Sequence, residues 1–215
     1  MNQHIDEISL AEDGTIWFSY MFTMAESLPY TYPLPDDHDP MSPDDPWVKT
    51  VKGIPQGPDF FPTKFYWKEK GRRPKPPGHL CRPDVYIVSE QVAEVFRNFD
   101  LGQTQLYPTR FFEFDQKTPL PGQYYCLAIG ETKRGIIIEK SRTQDSYPRG
   151  TARAAPSTPE DGDLVVRKSA LDGADIWVDS EVHLAPFLSG RLVQALRVAK
   201  LDKPFYLTKC IVPDE

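Results

Sequence analysis

Cysteine and histidine are scarce in this chain, long apolar runs are missing, and the first 48 residues contain no Lys or Arg. The three cysteines, Cys81, Cys126 and Cys210, are odd in number and far apart. They give neither a disulfide framework nor paired zinc-type spacing, and a reducing compartment suits them best. The apolar stretches are short, like Ile136 to Ile138, whereas a membrane span takes roughly 18 to 20 such residues. The segment Met1 to Glu7 carries acids where a secretory signal carries a basic patch and an apolar block, so the sequence predicts a cytoplasmic protein with no membrane association. A nucleophile elbow of the G-x-S-x-G kind is missing, as is an H-E-x-x-H zinc motif.

What is present suffices for a globular core: 215 residues, 40% hydrophobic and 12% aromatic. Charge is unevenly spread. Asp6, Glu7, Glu12, Asp13, Glu26, Asp36, Asp37, Asp39, Asp44 and Asp45 give the first 48 residues −10, against a net charge of −6 for the whole chain. This acidic arm either steers a basic partner or pairs with the protein's own basic stretch, Lys64 to Lys75. That stretch interleaves Lys64, Lys68, Lys70, Arg72, Arg73 and Lys75 with Phe65, Tyr66 and Trp67, a mixture that can hold single-stranded nucleic acid. The acidic balance of the whole weighs against nucleic acid as the partner.

Residues 14–24 are rich in aromatic and β-branched types and read as a strand with bulky side chains on both faces. Thirteen of the 22 prolines then fall between Pro29 and Pro83, where each removes a backbone donor. Tyr30, Tyr32, Trp47, Phe60, Phe61, Phe65, Tyr66 and Trp67 lie in the same region and argue for an ordered coat over the core, with a strand or hairpin arm only at Asp59 to Lys70. Further on, Asp84-Val85-Tyr86-Ile87-Val88-Ser89-Glu90 is echoed 91 residues later by Asp175-Ile176-Trp177-Val178-Asp179-Ser180-Glu181. Ser89 suits the N-cap of a helix presenting Val92, Val95, Phe96 and Phe99. Ser189 suits a second helix presenting Leu192, Ala195, Leu196 and Ala199. Strands at Leu106-Tyr107-Pro108-Thr109 and Phe205-Tyr206-Leu207-Thr208 follow. The spacing predicts an α+β fold with mixed sheets, in which two strand-helix-strand units share one core beneath a Pro-rich N-terminal arm. The expected division is 1–83 for the acidic strand and arm, and 84–215 for the α+β core.

Between the units, Tyr124 to Ile129 and Gly135 to Glu139 read as strands around a charged hairpin turn. Gly130-Glu131-Thr132-Lys133-Arg134-Gly135 mimics a P-loop, with Ile136 and Ile137 where Lys and Ser or Thr would be needed. Periodicity is lost over 141–163, which reads as a mobile loop, before a strand at Leu164 to Arg167. Asp36-Asp37-His38-Asp39 could in principle hold a cation but reads as a solvated tip, and Ser180-Glu181 before His183 reads as a cap with a first-turn acid. No catalytic residue, metal or cofactor is expected.

Val88-Ser89-Glu90, Leu106-Tyr107-Pro108, Tyr124-Tyr125-Cys126-Leu127, Glu139-Lys140-Ser141 and Asp179-Ser180-Glu181, in this order, resemble a family of bacterial immunity proteins from polymorphic toxin, contact-dependent and type VI secretion systems. The resemblance spans Pro83 to Cys210. It departs from the pattern at the insertion Ser146 to Pro159 and at Asp179, where an apolar residue is more usual. It implies a protein without enzymatic activity that binds a cognate toxin effector and blocks it. Charge complementarity then makes Tyr30, Tyr32, Asp36, Asp37, Asp39, Asp44, Asp45 and Trp47 the expected contact residues. Two other classes stay open: an enzyme with a dispersed site drawn from Asp84, His183 and the acidic loop, and an adaptor that loads a secretion cargo.

Overall fold

The computed structural model describes residues 14–33, 39, 42–82, 85–145 and 153–214. In chain order the strands are β1 (Ile16–Ser19), β2 (Tyr30–Thr31), β3 (Lys64–Trp67), β4 (Leu80–Cys81), β5 (Ile87–Ser89), β6 (Gln105–Phe112), β7 (Tyr124–Ala128), β8 (Thr132–Lys133), β9 (Gln144–Asp145), β10 (Arg153–Ala154), β11 (Ile176–Asp179), β12 (Val182–His183), β13 (Pro186–Ser189) and β14 (Leu207–Lys209). The helices are α1 (Met21–Met24), α2 (Pro46–Val51), α3 (Glu90–Phe96) and α4 (Gly190–Val198). They form a six-stranded sheet β2-β3-β6-β7-β5-β4, a five-stranded sheet β14-β1-β13-β11-β8 and a small ribbon β12-β10-β9, so the fold is α+β with mixed sheets. No helix among the described residues is long and apolar enough to cross a membrane.

The two long helices start where the sequence places them. Ser89 Oγ accepts from Val92 N at 3.5 Å and Ser189 Oγ from Leu192 N at 3.3 Å, caps each worth about 1 kcal/mol. Val92, Ala93 and Phe96 on α3, and Leu192, Val193 and Leu196 on α4, are fully buried. They meet in one cluster with Val88, Leu127, Leu188 and Phe205, where the Phe96 and Phe205 rings lie 5.9 Å apart. The two strand-helix-strand units therefore share a core.

Their internal register differs from the sequence reading. β7 runs antiparallel between β5 and β6, and β1 runs antiparallel between β13 and β14. Val88 faces Tyr125 as Leu188 faces Trp17, and Ile87 faces Cys126 as Phe187 faces Phe18. Tyr107 opposes Cys126 as Thr208 opposes Phe18. Even the cation on the ring is repeated: the Arg97 guanidinium sits 4.5 Å from the Tyr125 centroid and that of Arg197 sits 4.1 Å from Trp17. Ser89 thus corresponds to Ser189, 100 residues on, and the first strand of the second unit is β13. Ile176–Asp179 is the antiparallel neighbour of β13, as β4 is of β5. Ser180 and Glu181 lie between β11 and β12 and cap no helix, which corrects the sequence reading of that pair. Two short runs of β-branched and aromatic residues look alike whichever strand they form, and the Ser-Glu coincidence chose the wrong one.

Residues 130–135 also depart from expectation. They form no hairpin; the chain leaves the six-stranded sheet after Ala128, and β8 pairs in parallel with β11 in the other sheet. Gly53, at φ +65°, lies against this crossing, where a Cβ would come within 2.4 Å of the Glu131 carbonyl oxygen. Residues Leu164 to Arg167 make only isolated bridges, Ile136 with Val166 and Val165 with Ile211. The aperiodic stretch contributes β9 and β10, and Arg142 closes its base with a two-pronged contact to Asp163 at 2.6 and 2.5 Å.

In the described part of the Pro-rich segment the aromatics are packed into the fold. Tyr30, Phe61, Phe65 and Trp67 pack with Phe111, Tyr124 and Cys126 in a second cluster on the other face of the six-stranded sheet, and β2, β3 and β4 extend that sheet. The expected arm between Asp59 and Lys70 is a 3-10 turn at Pro58–Phe60 followed by β3.

Candidate functional site

Helix α2 organises the acidic region. Asp45 is its N-cap, accepting from Trp47 N at 2.8 Å and Val48 N at 3.4 Å, with Pro46 in the first turn where a missing N–H costs nothing. This carboxylate is buried and serves the helix. Trp47 is half-buried, packs on the shared core, and donates its indole N–H to Tyr86 Oη at 3.3 Å. The Tyr86 hydroxyl donates in turn to the Phe22 carbonyl at 3.0 Å, and burial pushes its pKa up to about 12.

Asp44 points outward with 87% of its side chain exposed and pairs with Lys49 Nζ at 2.9 Å. Lys49 Nζ stands 4.9 Å from the Phe60 ring centroid, and the Lys49 carbonyl accepts from Ile54 N at 2.9 Å. Gln56 fastens the intervening loop to the helix through Pro46 O at 3.1 Å and Thr50 Oγ1 at 3.0 Å. The outcome is a ledge where Ile54 and Phe60 stay 41% and 49% exposed beside Asp44 and Asp59. Large apolar side chains held in the open beside carboxylates suit contact with another macromolecule.

The other expected contact residues fall differently. Tyr30 is completely buried: its ring lies 4.6 Å from that of Phe111, its hydroxyl donates to Lys75 O at 2.8 Å, and burial raises its pKa. It has no ring surface to offer a partner. Tyr32 is half-buried, edge-on to Phe65 at 5.3 Å. Asp39 is exposed, while Asp36 and Asp37 lie outside the described residues, as do His38 and Asp84. Some of the arm's charge is answered internally, since Glu26 pairs with Lys75. Ile54, Asp59 and Phe60 were not singled out as contact residues, because an exposed aromatic and a core aromatic look the same in a Pro-rich stretch.

The remaining motifs resolve into structural roles. The Gly135 and Ile136 amides, which a P-loop would offer to phosphate, donate to the buried Asp179 carboxylate at 2.8 and 2.9 Å. That accounts for an acid where the resemblance expects an apolar residue. Lys133 is held by the Ala170 and Ala174 carbonyls at 2.6 and 2.8 Å and lies 3.9 Å from the Trp177 ring centroid, with its pKa lowered by burial. His79 Nδ1 sits 3.0 Å from Ser89 Oγ, a proximity invisible in the sequence, where the same hydroxyl caps α3. Burial raises all three thiols, Cys81 and Cys210 to about 12 and Cys126 also upward.

Around α2 the described residues thus gather exposed apolar side chains and carboxylates on one ledge. Over residues 20–206 the chain matches the model of the immunity protein family Imm11, and it belongs to that family. Membership carries an immunity role, with a toxin as the implied partner. No curated protein matches the chain.

Proposed function

We propose that this protein protects the cell that makes it by binding a cognate secreted toxin and covering its active cleft, in the cytoplasm, as part of contact-dependent or type VI competition. Membership of an immunity protein family over residues 20–206 carries the reading. The ledge around α2 supports a docking mode. Asp39, Asp44 and Asp59 present negative charge around Phe60, Ile54 and the exposed part of Trp47, which suits the basic cleft of a toxin that grips polyanions. Asp45 supports the ledge as the N-cap of α2; Asp36 and Asp37 add charge to the same segment of chain.

The test is to search the genes neighbouring this chain's own for a secreted protein with a toxin domain, coexpress that domain with this protein, and follow association kinetics against a catalytically silenced form of it. Wild-type protein should restore growth. The combined variant Asp39→Lys, Asp44→Lys and Asp59→Lys should bind about ten-fold more slowly, with a shallower salt dependence. Asp45 is left intact because its loss would unravel α2. Wild-type protein that fails to restore growth refutes neutralisation, and an unchanged association rate removes the ledge from the contact.

A further inference from the structure

The basic stretch of the Pro-rich segment is not used by the ledge, and its fold placement gives it a defined face. β3 and β6 pair in parallel with Lys64 beside Arg110 and Tyr66 beside Phe112. Phe65, Trp67 and Phe111 point into the second cluster, so the alternation of a strand sends Lys64, Tyr66, Arg110 and Phe112 to the opposite face. Across β5 and β7 that same face carries Val88, Tyr125 and Leu127 into the shared core under α3. Beyond β6 it emerges into solvent. Lys64 and Arg110 are exposed, Tyr66 and Phe112 half-exposed, and Phe114 just past the strand is 46% exposed. A solvated sheet face ordinarily carries polar side chains, so three accessible aromatic rings among cations mark a contact surface.

The charges point the same way. Among the described residues Lys64, Lys68 and Arg110 form no salt bridge, whereas Lys49, Arg72 and Lys75 each have a carboxylate partner. A cationic strip with no carboxylate partner among the described residues, in a protein of net charge −6, is complementary to a local group of carboxylates. Single-stranded nucleic acid fits less well. Lys64 Nζ already stands 5.5 Å from the Phe112 centroid, over the ring face a base would need. The Tyr66 ring, 5.9 Å away, is tilted by 45° and extends no platform. The acidic protein as a whole also repels a polyanion.

We infer that the outward face of β3 and β6, built from Lys64, Tyr66, Lys68, Arg110 and Phe112, is a second docking surface that receives a carboxylate-bearing face of the neutralised toxin. This rests on the neutralisation reading. Phe60 and Lys64 are separated by only three residues, so the acidic ledge and the basic face adjoin along the chain. Two neighbouring patches of opposite sign fix the orientation of a partner and reject one whose charges are reversed.

The experiment compares wild-type protein with the triple variant Lys64→Glu, Lys68→Glu, Arg110→Glu, using the silenced toxin domain and, separately, a 20-nucleotide poly-dT strand, roughly one to a few site sizes long for a single-strand binder. The substitutions lie on an exposed face, so circular dichroism and the melting temperature should match wild type. The triple variant should bind the toxin at least about ten-fold more weakly, a loss that high salt diminishes. Equal toxin affinity overturns the inference while leaving neutralisation standing. Poly-dT binding that the triple variant abolishes overturns the assignment to a protein partner. Wild-type protein that does not bind the toxin overturns both readings together.

Discussion

Replacing Asp175 with Asn should weaken the joint between the two halves of the molecule. The Asp175 side chain is 1% exposed and accepts four hydrogen bonds: from Ser189 Oγ at 2.5 Å, Arg191 Nε at 2.6 Å, Arg191 Nη2 at 2.9 Å and the Asp100 amide at 2.9 Å. Asp100 follows α3 in the first unit, while Ser189 and Arg191 start α4 in the second, so one carboxylate ties the end of one helix to the beginning of the other. Asn keeps the volume but turns one acceptor into a donor. Whichever way the amide is oriented, about two of the four contacts then face donor to donor. Hydrogen bonds to charged groups contribute about 1.5–3 kcal/mol each. Arg191 is 40% exposed and can recover part of its loss by turning to water. The expected destabilisation is therefore about 3 kcal/mol, or a melting temperature lower by about 6–12 °C for a chain of this size. Arg191→Met should cost about 2 kcal/mol, since it leaves the carboxylate with Ser189 and Asp100 only, and the double variant should fall short of the sum by at least about 1 kcal/mol. Urea denaturation of the four proteins checks this directly. A loss below about 1 kcal/mol for Asp175→Asn, or strict additivity, would refute the reasoning.

Two further outcomes are expected. The three buried cysteines, whose thiols are held in the neutral form, should resist a thiol reagent at pH 8 in the native protein and react together in denaturant; a cysteine that reacts quickly in the native state would show that its cluster is open. Arg142 holds the Asp163 carboxyl below its usual range through the two-pronged contact at the base of the β9 and β10 ribbon. A carboxyl with a depressed folded pKa stabilises fully above its unfolded value, near about pH 4, and loses that contribution as pH falls further. Arg142→Ala should thus lower stability modestly at pH 7 and progressively less below pH 4, read as the shift in urea midpoint against wild type at each pH, and an effect that persists at pH 2 would assign it to packing.

The sequence made the local features legible and the long-range ones only in part. Ser89 and Ser189 announce their helices because an N-cap is decided by a hydroxyl and the next three amides. The aromatics at Tyr30, Phe61, Phe65 and Trp67 are legible as packing residues of the Pro-rich segment because a solvated run of prolines has no use for so many rings. The placement of Ile16–Ser19 between β13 and β14 was not legible, since no local signal says which distant strands a central strand will join. The glycines at 130 and 135 suggest a turn whether the chain doubles back or crosses to another sheet. At the candidate site, Asp44 and Trp47 could be read as acid and aromatic, but only the fold separates the helix cap Asp45 from the outward Asp44, and the core ring Tyr30 from the open ring Phe60.

The position of β1 sets the order in which the molecule can be completed. Its two neighbours in the sheet are Pro186–Ser189 and Leu207–Lys209, so roughly 170 residues must be synthesised before the first of them exists. At about 5–20 residues per second that is a wait of roughly 8 to 34 seconds on the ribosome. During it the β5-α3-β6-β7 half can already assemble, because its own central strand comes from within the same stretch of chain. A nascent chain of this protein should therefore become protease-resistant in two stages, with the second gained only after β14 has left the exit tunnel.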